Sequence, residues 1–89
     1  MKQVEVQVLA RNGNWAVVQL PGREFPGIHI QGDTFAALRM RLADVARSLR
    51  DAPGNVDGLD ELDDAVQEIA AMLAFYEGVL SKWGLRRPY

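Results

Sequence analysis

Val4, Val6 and Val8 alternate with Glu5 and Gln7, the period-two pattern of a strand with one face buried. Asn12-Gly13 follows. Asn-Gly ahead of a second such run predicts a hairpin turn, because both residues tolerate positive φ. Residues 15–20 form the return strand, with Ala16, Val18 and Leu20 on one face and Trp15, Val17 and Gln19 on the other. Prolines and glycines around Arg23-Glu24-Phe25 then force a loop over 21–27. The short alternating run 28–31 predicts a third strand, Ile28 and Ile30 inward and His29 on the opposite face.

The period changes after Gly32, and Asp33 or Thr34 is suited to cap the helix that follows. Phe35, Leu38, Leu42, Val45 and Leu49 recur every three or four positions, predicting a helix over 33–50. Its other side carries Arg39, Arg41, Asp44, Arg47 and Arg50. Pro53-Gly54-Asn55 and Asp57-Gly58 read as a break. A second helix over 59–84 follows, with Leu62, Val66, Ile69, Leu73, Tyr76, Leu80 and Trp83 in a strict heptad seam. Gly84 is placed to end it, with Leu85 folding back on Leu80 in a Schellman motif.

These elements define a single α+β domain over 1–89, a three-stranded antiparallel meander over 1–32 followed by two amphipathic helices. Ala65, Met72 and Val79 form a second heptad-spaced row beside the main seam, so the long helix is apolar on more than one side. A short sheet and a shorter helix cannot cover it all. A homodimer is therefore expected, the long helix packing on its symmetry mate through Val66, Met72, Leu73, Tyr76 and Val79.

Composition narrows the chemistry. The 89 residues include no cysteine and one histidine, His29. That excludes disulfides, thiol nucleophiles, cysteine-ligated zinc and any two-histidine metal site within one chain. Neither a signal-peptide pattern nor an apolar run of about 20 residues occurs, so a cytoplasmic protein without a membrane span is expected. The net charge of −2 is unevenly divided. Residues 1–50 carry seven Lys/Arg against four Asp/Glu, and residues 51–89 carry three against eight, giving +3 and −5. Attraction between the halves, or between two copies, is the natural reading. The positive excess is too small for a nucleic-acid footprint.

Pro26, Gly27, Gln31, Gly32, Asp33, Thr34 and Ala37-Leu38, with the hairpin strand before them, resemble the HicB-like antitoxin domain. In that family a hairpin leads through a Pro-Gly loop to a strand ending in Gly-Asp-Thr or Gly-Asp-Ser, which opens the first helix of a partial RNase H-like fold. The resemblance spans about a third of the chain and implies a protein partner such as a toxin. The fourth strand usual in that family is replaced here by a second helix. Over its whole length the chain looks closer to small bacterial proteins that share the P-G-R-x-F-P-G and Q-G-D-[ST] elements and carry no known activity.

Candidate sites are weighed against plainer roles. Arg23 and Phe25 sit on a loop pinned by proline and glycine, where an aromatic beside an arginine makes a recognition tip; Trp15 and His29 are the other candidates for contacting a partner. His29 is more simply a half-exposed strand residue, since general-base chemistry needs an orienting partner. Asp60, Glu61, Asp63 and Asp64 complement the helix dipole and do not converge as metal ligands do. No phosphate-binding glycine motif or nucleophile elbow occurs. The sequence thus predicts no catalytic residue, metal or cofactor. The leading expectation is a non-enzymatic, dimeric protein-interaction domain of antitoxin or immunity type. A small-ligand or enzyme-accessory module around Trp15 and His29 is the second reading. A nucleic-acid regulator using the first-helix arginines is the third.

Overall fold

The computed structural model describes residues 2–89; Met1, inside the meander expected over 1–32, lies outside the described residues. The chain has an α+β fold: strands β1 (Gln7–Asn12), β2 (Trp15–Gln19) and β3 (Gly27–Ile30), then helices α1 (Gly32–Asp51) and α2 (Val56–Lys82). The sheet is an antiparallel meander in the order β1-β2-β3, as the alternation predicts. Two compact units arise. One joins the sheet to the last part of α2, from Met72 onward; the other is Gly32–Ala71.

In the first unit the hairpin turn differs in register from the expectation. Asn12 pairs with Trp15, so the loop is Gly13-Asn14 rather than Asn12-Gly13. Gly13 takes φ 58° while among the described residues no non-glycine residue has positive φ, the signature of a II′ turn with glycine first. A bulge between Val8 and Ala10 shifts the register again. Leu9 and Ala10 therefore pack against the core and Val8 is exposed; Val4 and Val6, expected to be half-buried in the strand, precede β1 and are exposed as well. The bulge withdraws Leu9 from the ladder, and its carbonyl accepts a hydrogen bond from Trp83 Nε1 at 3.3 Å. Val17 and Leu80 are fully buried and form the centre of the core with Tyr76 and Val79. Ile28 packs inward beside Val17, as expected.

The end of α2 follows the expected Schellman pattern. Leu85 N–H donates to the Leu80 carbonyl at 2.8 Å and Gly84 N–H to Ser81 at 3.1 Å, with Gly84 at φ 71°.

The second unit is a helical hairpin. Here α1 begins at Gly32, one residue before the expected start, with the Asp33 carboxylate accepting from the Thr34 amide at 2.8 Å. Against expectation, Asp57-Gly58 does not break the chain: α2 already starts at Val56. Asn55 makes this possible. Its Oδ1 accepts from the Gly58 amide at 3.3 Å, and its Nδ2 donates to Ser48 Oγ at 2.8 Å. It is thus an N-cap of α2 held in place by α1. A Cβ on Gly58 would stand 3.1 Å from Leu49 Cδ2, so glycine in this first turn admits close helix approach.

Candidate functional site

Tyr76 anchors the loop that precedes β3. Its hydroxyl donates a buried hydrogen bond of 2.6 Å to the Pro26 carbonyl. Burial also raises its pKa above the ordinary 10.0. The native state thus holds that proton more tightly than the unfolded chain does. The associated stability is intact below pH 10 and is lost as pH rises through the native pKa. Tyr76→Phe leaves the Pro26 carbonyl without a partner and is expected to cost about 1–2 kcal/mol, read as a lower urea midpoint. It should also remove that part of the alkaline sensitivity. An unchanged midpoint at neutral pH would show that the bond contributes nothing.

Past the anchor, the loop tip is partly occupied by the chain itself. The Arg86 guanidinium lies 5.7 Å from the Phe25 ring centroid and 3.4 Å from Glu24. Phe25 is accordingly half-buried, while Arg23 is exposed. Tyr89 donates to Glu77 at 2.8 Å, a bond that holds the tyrosine pKa up, and Arg87 approaches the same carboxylate at 3.4 Å. An open cleft remains, lined by Leu20, Gly22, Phe25 and Pro88 among others.

Trp15 and His29 do not join this tip, nor each other. Trp15 lies on the Val17 face, its ring centroid 6.2 Å from that of Phe75. His29 stands opposite Ala16, which puts it on the other face, exposed. A pocket shared by Trp15 and His29 is therefore corrected: the sheet itself separates them. Apart from the Tyr76 hydroxyl, no polar or charged side chain is buried among the described residues, and no group of three or more His, Asp or Glu is placed to hold a metal.

The remaining candidate is the long helix, whose apolar residues are divided between core and solvent. In the second unit Ala65 is fully buried, and Leu38 and Val45 of α1 are buried too. Of the residues expected to form a dimer contact, Met72, Tyr76 and Val79 are buried within the chain and are withdrawn from that surface. The main seam is divided: Tyr76 and Leu80 are buried, whereas Val66 is 54% exposed, Ile69 38% and Leu73 43%.

Two contacts orient the hairpin. Arg41 Nη1 meets Glu68 Oε2 at 2.6 Å, while Leu49 lies against Gly58. Moving from Leu49 back to Arg41 thus moves forward along α2, so the helices are antiparallel. The ion pair, exposed and worth little energetically, marks one side of the hairpin. Asp44, Glu61 and Asp64 line a surface depression beside Arg41 on that side. At 3.6 residues per turn, Phe35 and Leu42 of α1 fall on the opposite side, together with Leu62, Val66 and Ile69 of α2. One side of the hairpin is charged and the other apolar. The sequence carried both rows but not their assignment: Gly58 and Ala65 are small enough to admit α1, and smallness is the signal that distinguishes the inner row.

A small α+β domain with an amphipathic helical hairpin, one apolar side of it uncovered, is the class that this geometry defines. The chain belongs to the DUF6959 family, a family of unknown function whose model matches residues 1–89. No curated protein and no solved structure matches it. No helix among the described residues is long and apolar enough to cross a membrane.

Proposed function

We propose that the protein is a non-enzymatic interaction module that works as a homodimer, joined through the apolar side of its helical hairpin. The observation that carries this reading is the exposure of Val66, Ile69 and Leu73 in an uninterrupted heptad seam. Three large aliphatic side chains on successive turns form a patch that a monomer leaves unfavourably hydrated. Isolated exposed leucines are common; a periodic row is the pattern of helix pairing. A partner-binding role for the Arg23–Phe25 tip is the finer part of the proposal. It is supported by exposed Arg23 and by the cleft beside Phe25. The HicB-like residues from Pro26 to Leu38 suggest a toxin or a similar protein as that partner. Cytoplasmic residence goes with this reading.

Sedimentation equilibrium of the wild-type protein tests it. A species of twice the 9.9 kDa chain mass is expected at micromolar concentration. A chain that remains monomeric at several hundred micromolar would end the proposal.

A further inference from the structure

A strand pattern that lacks a strand partner marks a second place where copies of the chain can meet. Val4-Glu5-Val6-Gln7-Val8 alternates as a half-buried strand does. Only its end is used within the chain. β1 begins at Gln7, opposite Gln19, and β2 goes no further. Leu20 opens a turn there, its carbonyl accepting from the Arg23 amide at 3.4 Å, and Pro21 has no amide to extend the ladder. Among the described residues no strand pairs with residues 2–6, and Val4 and Val6 are exposed. β1 is also an edge strand of the sheet, so its outer side has no strand beside it.

The segment is complementary to itself. Outward from Val6 it reads glutamate then valine in one direction, glutamine then valine in the other. Directly opposed side chains of an antiparallel pair share a face of the sheet. Two-fold symmetry then puts one residue opposite its own copy at the centre of the pairing. With Val6 at that centre, Val4 of each copy faces Val8 of the other, and Glu5 faces Gln7. Other centres fit worse. Glu5 there sets like charges against each other, and Val4 there sets Lys2 against Val6. Gln7 there carries the pairing into the bulge between Val8 and Ala10. The paired valines also continue an apolar face: Val8 lies across from Val18, and Val6 shares a surface depression with Leu20.

We infer that residues 4–8 form an antiparallel strand contact between two copies of this chain, centred on Val6, which joins two three-stranded sheets edge to edge. This contact goes beyond the dimer reading above, because it uses a different segment and a different kind of pairing. A pairing this short is weak by itself. The hairpin contact therefore dominates at micromolar concentration, and the strand contact fills at several hundred micromolar.

Because the chain has no cysteine, single introduced thiols report on this register. Under mild oxidation at several hundred micromolar, Val6→Cys is expected to give a disulfide-linked dimer about tenfold faster than Val4→Cys or Val8→Cys. The like thiols of those two variants stand more than about 13 Å apart across the axis, at roughly 3.4 Å per residue. An equimolar mixture of the Val4→Cys and Val8→Cys chains should cross-link nearly as fast as Val6→Cys does alone. Val6→Cys linking no faster than the other two, or a mixture no faster than its components, overturns the contact. The same order of rates is expected in a chain that also carries Val66→Lys and Ile69→Lys, so a failed hairpin dimer and a failed strand contact are told apart. Loss of the order in that chain overturns the strand contact as well.

Discussion

Leu80→Ala is expected to destabilise the protein by about 3 kcal/mol, the largest loss from a single truncation in the sheet-bearing unit. Leu80 has no exposed surface and lies with Val17, Tyr76 and Val79 in the one buried cluster that joins the sheet to α2. Truncation removes the transfer free energy of the lost carbons and also leaves a cavity. Its walls are held by β2 on one side and a helical backbone on the other, so they collapse only in part. For a domain of this size such a loss lowers the melting temperature by roughly 15 °C. Urea unfolding at a fixed protein concentration measures it. A loss below about 1 kcal/mol would mean that the cluster is not the main source of stability in this unit.

The second large effect falls on association rather than folding. Val66→Lys combined with Ile69→Lys is expected to raise the dimer dissociation constant at least a hundredfold, because it places two charges in the centre of the apolar contact. The single chain should tolerate the change. Both positions face water within it, and lysine is a better helix former than valine or isoleucine. Sedimentation should therefore give a monomer whose circular dichroism still reports folded helix. Persistence of the dimer would move the interface elsewhere, for instance to the open face of the sheet, where Val8 and Leu20 are exposed. That result would remove the hairpin from the proposal.

Periodicity made the element order readable because strand alternation and helical spacing are local properties. The meander, the extent of α1 and the glycine-ended α2 all follow from neighbours within a few positions. What escaped the sequence depends on contacts across the fold. The Leu9 bulge leaves Val8 outward and turns Leu9 and Ala10 inward, and alternation alone does not reveal a one-residue slip. The start of α2 was displaced for a similar reason. Asp57-Gly58 reads as a turn until Ser48 holds Asn55 in its capping position and Leu49 fills the space above Gly58. In the candidate site, the apolar rows of α2 were visible but their roles were not. Hydrophobicity ranks Val66 and Ile69 above Gly58 and Ala65, whereas close helix packing favours the smaller pair. Trp15 and His29 looked adjacent along the strands, and only the pairing of His29 with Ala16 places them on opposite faces.

The unbroken span of α2 has a consequence for how this chain can lose its structure. One rod of hydrogen bonds, from Val56 to Lys82, supplies residues to both compact units. Melting either unit by itself would leave half of that rod with a raw, uncapped end in mid-helix, where four amides or four carbonyls lose their partners. Opening the rod in its middle is thereby penalised, in a chain without covalent cross-links.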